Sequence, residues 1–448
     1  MIQRNFWRNV LPSVIAFAFS GVYSIVDGMF VGQGVGDAGL AAINVAWPVT
    51  ALVQALGTGL GMAAAVVLSV CIGRRDAAEE HRALGSTAVL LLLAGVLSTA
   101  LLALLYRPLL PLLGAEGSVL AYADSYTRVI VLGSLFQVLG TGLVPLLRTY
   151  DGADAAMCSM TAGFLTNVVL DALFISVFRW GTAGAAAATV IAQGVSAAGI
   201  ALYGWRRVPL LRLERRHCKV SRGELGRIMN YSLLTCVQQS VMNFGILMVQ
   251  GLVNSFGVNV MAAFAAAVKI DAFAYLPVQD LGNAFSTFVA QNTGAQKAER
   301  IRKGIRSALW VSVGFCLVSS LLVCLFAAPL MGLFVEPGET EIIAVGVEYL
   351  RIEGMCYCGI GILFLLYGLF RGLGRPGVSV VLTVVSLGTR VALAYLLAPI
   401  PAVGLKGIWW AVPIGWVLAD LAGLVLWRRG ESGGEAGPHA KCQSAERL

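Results

Sequence analysis

Charge is what this sequence has least of. Asp, Glu, Lys and Arg make up 12% of its 448 residues, about half the share of a soluble domain. Hydrophobic residues make up 58%, and the mean hydropathy is +0.80. Those values exclude an ordinary soluble enzyme, and a soluble domain on a single anchor as well. Histidine is almost absent. His81, His217 and His439 all fall in hydrophilic segments, so no His-based catalytic or metal centre can form inside the apolar body. The nine Cys are scattered. The Cys356-x-Cys358 pair within an apolar run is neither a zinc nor a redox spacing, and reads as small packing residues. No Walker A, HExxH or GxSxG motif is present. Gly372-Leu-Gly374-Arg-Pro-Gly377 fits GxGxxG but follows a helix rather than a strand, so it reads as a helix-breaking turn. The chain therefore carries no ATP engine, metal or cofactor of its own. Energy must come from an ion gradient, H⁺ or Na⁺, or from the substrate. The apolar stretch from Val10 lacks a cleavage pattern and is read as a span rather than a leader.

What is abundant is long apolar helix. A span needs about 20 residues. Reading between polar breaks gives twelve, at 10–35, 39–72, 83–106, 118–147, 153–178, 182–205, 227–256, 259–293, 304–335, 341–371, 377–399 and 404–428. The expectation is an all-α membrane protein. An N-terminal six-helix bundle (1–205) is followed by a basic linker (206–226), a C-terminal bundle (227–428) and a polar tail (429–448) read as disordered. With the N-terminus cytoplasmic, 25 of the 32 Lys and Arg fall on that side. Only Arg107, Arg179 and Lys406 fall outside, and Arg128, Lys269, Arg351 and Arg390 lie within spans. Both termini are thus expected in the cytoplasm of a cell inner-membrane protein. The net charge of +8 is topological and does not call for nucleic acid.

The halves repeat. At an offset of 221, Gly36 meets Gly257, Gly61 meets Gly282 and Gly73 meets Gly294. At 223, Tyr126-x-Arg128 meets Tyr349-x-Arg351, Arg148 meets Arg371, and Gly181 meets Gly404. Six spans per half put both halves in the same orientation, as in transporters whose bundles rock around a central cleft.

Ionisable groups inside spans are costly and read first as functional. Asp27, Asp171 and Thr189 lie at about the same depth, counting 1.5 Å per residue. Asn167 shares a helix face with Asp171 at i,i+4. Two carboxylates, an amide and a hydroxyl form a candidate cation or proton site. The second half has Met248, Arg390 and Ala394 where the first has Asp27, Asn167 and Asp171, so the ion site is expected in the first bundle only. The second bundle offers Asp271, Lys269, Glu348, Glu353, Arg390 and Tyr275 as candidate substrate contacts, with Asp271 foremost. Glu348 with Arg351, and Asp124 with Arg128, have the spacing of internal ion pairs. Trp47, Phe136, Phe244, Phe273 and Phe285, with Tyr23, are candidates to line a greasy cleft. Pro12 and Gly21 are candidate hinges, with Pro48 and Pro277 as further kinks.

Several segments resemble the MATE (multidrug and toxic compound extrusion) family of the flippase-like superfamily. They are VYSIVDGMFVGQGVGDAGLAA, NVVLDALFISVF with GTAGAAAATVIAQ, AAFAAAVKIDAFAYLPVQDLGNAFSTFVAQNTGA, and FRGLGRPG with VGLKGIWWAVPIGWVLAD. Together they cover both halves, and they look like the DinF/MepA-type branch. The resemblance implies a V-shaped transporter of twelve helices. It would export organic cations or amphiphiles against H⁺ or Na⁺, in the bilayer and as a monomer. It implies coupling through Asp27, Asn167, Asp171 and Thr189, with Pro12 as a bending point. The other branch carries an acidic residue on helix 7 where this chain has Gln250. The alternative is a flippase for lipid-linked precursors, which the bases Lys269, Arg351 and Arg390 keep open.

Overall fold

The computed structural model describes residues 26–432 except 28, 151, 208–221, 336–337 and 401–402. Pro12, Gly21 and Tyr23, most of the basic linker and the end of the tail lie outside the described residues. What is described is helical, with no strand among these residues. Helix α1 is described over 26–35. It is followed by α2 (Asp37–Arg74), α3 (Ala77–Leu112), α4 (Gly117–Thr149), α5 (Ala153–Asp171) and α6 (Gly181–Arg207). The second half holds α7 (Arg222–Asn254), α8 (Val258–Gly294), α9 (Ala298–Leu325), the short α10 (Ala327–Met331), α11 (Thr340–Met355), α12 (Tyr357–Gly372), α13 (Pro376–Leu397) and α14 (Gly404–Ser432). Among the described residues ten helices are long and apolar enough to cross a bilayer, or eleven with α11 and α12 as one span. In lipid only a helix satisfies its own backbone, so apolar composition and helix go together.

The chain falls into two compact units. Unit 1 holds Gln3–Cys71 and Asp76–Cys236, and unit 2 holds Ile72–Arg75 and Val237–Leu448. The division lies inside α7 because the first turns of that helix pack into unit 1. Ile228 and Leu225 join the core of α2, α3 and α4. Arg227 Nη1 meets Glu79 Oε1 at 3.3 Å, and the Cys236 thiol donates to Ala55 O at 3.7 Å.

The repeat is written into the backbone of both units. Gly36 (φ 87°) separates α1 from α2, and Gly257 (φ 105°) separates α7 from α8. A side chain is strained at such angles, which is why glycine stands at both matched positions. Arg75 (φ 60°) and Gln296 (φ 57°) turn the matched loops after α2 and α8. Packing repeats too. Gly61 of α2 lies against the backbone of Gly142 in α4, and Gly282 of α8 lies against Phe364 and Gly368 in α12. Phe264, Tyr349 and Trp409 form one aromatic cluster with ring centroids 4.9–5.5 Å apart. Their counterparts Ile43, Tyr126 and Ala186 share one cluster in unit 1.

Two spans depart from regular helix. The last turn of span 5, Ala172–Val177, is π-helical. Span 10, expected to be continuous over 341–371, is broken at Cys356 and bent by 53°. Gly354 and Gly359 flank that break, and paired small residues weaken a helix there. Span 9, expected over 304–335, ends at Leu325, and Phe326 leads into the short α10.

Candidate functional site

Unit 1 places its charges through α1, α5 and α6. Gly163 brings α5 against the backbone of Ala192 in α6, where a Cβ would sit 2.8 Å from Ala192 O. One turn further along α5, Asn167 is 1% exposed, and Asp171 is fully buried. With its amide turned so that the NH₂ faces Asp171, Asn167 donates to Asp171 Oδ2 at 2.8 Å. Its oxygen then accepts from the Thr189 backbone N–H at 3.1 Å. The Thr189 hydroxyl lies 3.4 Å from that same amide oxygen and can donate to it. Gly34 of α1 packs directly on Ile175 in the π-helical turn. Asp27 is two turns before Gly34 on the same face, and its carboxyl hydrogen-bonds that of Asp171. Two carboxyls bond to each other only when one supplies a proton. Asp27 Oδ1 and Asp171 Oδ1 have no partner among the described residues. No basic side chain acts on either carboxyl among those residues. The structure thus brings together Asp27, Asn167, Asp171 and Thr189 around two free carboxylate oxygens.

Unit 2 gathers a different set. Asp271 on α8 and Glu353 at the end of α11 are 8% and 2% exposed. They hydrogen-bond each other, with Arg390 of α13 acting on both. Tyr349, Tyr357 and half-buried Tyr275 border the pair. The Arg390 guanidinium lies 5.8 Å from the Trp416 ring centroid on α14. The break at Cys356 turns Glu353 and Tyr357 toward α8, a use of broken helices familiar at membrane binding sites.

Other candidates go elsewhere. Lys269 is exposed and stands apart from this buried cluster, because two residues along a helix point away from Asp271. Glu348 does not pair with Arg351. It binds Lys406 of α14 at 2.9 Å, with Lys406 exposed and Glu348 half-buried. Asp124 likewise turns from Arg128 to Arg107 of α3, at 3.7 Å. In each case a base at the end of a neighbouring helix is better placed than one along the same helix. Phe285 is 2% exposed and stacks on Phe288, so it is core rather than cleft. Trp47, Phe136, Phe244 and Phe273 are exposed. Gln250 donates to Asn254 at 3.4 Å.

Sequence reading passed over Tyr349, Tyr357 and Asp420, all buried polar groups of unit 2. Tyrosines and a lone acid in apolar helices carry no spacing signal. It also passed over a polar pair beyond the spans. Tyr150, after α4, donates to Glu80 Oε1 at 2.8 Å. Burial and the neighbouring Glu80 push the Tyr150 hydroxyl well up, so it remains a donor.

A model of the MatE family matches residues 12–173 and again 234–396, once in each half. The chain belongs to the MatE family. It is therefore a multi-pass membrane transporter and not an enzyme. The probable multidrug resistance protein YpnP of Bacillus subtilis is 26% identical over 430 residues, covering 94% of this chain and 93% of that one. The FAD transporter of Shewanella oneidensis is also 26% identical, over 441 residues, with 94% and 93% covered. An outward-facing structure of a multidrug resistance MATE transporter of the MOP superfamily superposes with a TM-score of 0.90 at 25% identity. It covers 96% of each chain, so the fold is the twelve-helix MATE fold.

Proposed function

We propose that this MATE transporter is a secondary active antiporter. It exports organic cations or amphiphilic toxic compounds across the cell inner membrane in exchange for H⁺ or Na⁺, with both termini cytoplasmic. The observation that carries the reading is the Asp27–Asp171 carboxyl pair, braced by Asn167 and Thr189. The pair must hold a proton to bond, and its two free oxygens are the acceptors a proton or Na⁺ needs. In this reading the outward-open protein loads H⁺ or Na⁺ at Asp27 and Asp171. Loading reshapes α1 against the π-helical turn and releases cargo outside. The ion then leaves inward as new cargo loads. Ion and cargo oppose each other, and the antagonism is reciprocal. Asp271, with its unpartnered Oδ1 and Glu353 beside it, is the group in unit 2 that would meet a cationic cargo.

The test is dye export. Ethidium efflux is expected under an H⁺ or Na⁺ gradient in wild type, and at background in Asp27→Asn with the protein still folded. Full export by that variant, or export with neither gradient, contradicts the proposal.

A further inference from the structure

Besides Asp271, Asp280 and Glu353, unit 2 holds a fourth buried acid. Asp420 lies on α14, 8% exposed, and its Oδ1 has no hydrogen-bond partner among the described residues. Its other oxygen faces α12 at Gly359, where a Cβ would come within 3.8 Å. The titratable group of α12 that faces it is Tyr367. From α13 comes Arg390, which acts on Tyr367 as well as on Asp271 and Glu353. From α11, Tyr349 meets α14 three turns away at Trp409, with ring centroids 4.9 Å apart.

Tyr367, on which Asp420 acts, belongs to a polar set at one end of the unit. Its hydroxyl bonds Thr383. Its carbonyl accepts from Ser379 Oγ at 3.1 Å and from Arg371 Nε at 3.2 Å. Arg371, at the end of α12, donates from Nη2 to Asn283 Oδ1 at 3.0 Å. Arg371, Ser379, Tyr367 and Thr383 thus form a ladder of buried polar groups near the α12–α13 turn.

The repeat serves as an internal control. At the positions matching Asp420, Tyr367, Thr383, Ser379 and Asn283, unit 1 has Ala197, Val144, Met160, Ala156 and Met62. Five apolar residues serve the same fold there, so the fold does not require the ladder. Only Arg371 has a polar counterpart, Arg148. A buried carboxyl with an unpartnered oxygen, which packing does not demand, has the makings of a proton site.

We propose that Asp420 is a second proton-binding site of this transporter. Protonation forms an O–H bond at Asp420 Oδ1, and ionisation breaks it. The site is separate from the Asp27–Asp171 pair, and its occupancy is readable whether or not that pair drives export.

The test is labelling of the full-length protein in membranes with a hydrophobic carbodiimide, which reacts with protonated buried carboxyls, followed by peptide mass mapping. An adduct at Asp420 is expected at about pH 6, falling at least about fivefold by about pH 10 as the carboxyl ionises. Asp27→Asn should leave that adduct unchanged, which separates this site from the antiport reading. As a second measurement, Asp420→Asn should bind one proton fewer per chain in a pH-jump titration while keeping substrate-evoked proton release. No adduct at Asp420, an adduct constant across the pH range, or an unchanged proton count in folded Asp420→Asn would each overturn the proposal.

Discussion

The two units share a backbone and differ in where they keep charge. Unit 1 puts two carboxyls and an amide on α1 and α5, with no base acting on them among the described residues. At the position matching Asn167, unit 2 has Arg390, and its bonded acids Asp271 and Glu353 sit on α8 and α11 instead. Each unit places its helical irregularity beside its own cluster. In unit 1 the π-helical turn begins directly after Asp171. In unit 2 the bend at Cys356 falls between Glu353 and Tyr357. The counterpart helix α4 runs unbroken from Gly117 to Thr149. Pseudo-symmetry thus fixes the scaffold, while local breaks aim the side chains that differ. Each carboxyl pair needs a proton to bond, but only the unit 2 pair has a base, Arg390, acting on it among the described residues.

The sharpest way to break this comparison is Asp27→Asn. Ion-driven export should fall at least about a hundredfold, since a group that must gain and lose an ion is gone. Dye efflux checks it, with the folded fraction read by size-exclusion profile. Next is Arg390→Leu, which leaves Asp271 and Glu353 without their cation. Unit 2 should lose about 3 kcal/mol, read as a lower Tm in detergent, and little effect would mean the cluster is not held by pairing. Asn167→Leu should cost less stability but more coupling. Loss of a bond to a carboxyl, worth about 1.5–3 kcal/mol, corresponds to roughly a tenfold to hundredfold weaker ion dependence. Gly61→Val and Gly282→Val test the shared scaffold. Each forces a side chain into a helix–helix contact and should cost about 1–3 kcal/mol. Very different values would show that the matched contacts are not equivalent. Lys406→Gln removes an exposed pair with Glu348 and should change Tm by less than about 1 kcal/mol would produce.

The spans were legible from apolar run length, because a lipid-facing helix must be apolar along its whole course. The unit 1 grouping was legible from depth counting and one i,i+4 spacing, Asn167 to Asp171. The ion pairs of Glu348 and Asp124 were not, because their partners Lys406 and Arg107 come from other helices. The bend at Cys356 was hidden as well, since no proline marks it. With the bend hidden, so was the role of Tyr357, which bonds Asp271 from beyond the break.

The most direct measurement is substrate-evoked proton release from acid-loaded inside-out vesicles, comparing wild type, Asp27→Asn and Asp271→Asn. Ethidium should evoke proton efflux in wild type and in Asp271→Asn, and none in Asp27→Asn. Efflux that survives Asp27→Asn and disappears in Asp271→Asn would place coupling in unit 2 and contradict the account.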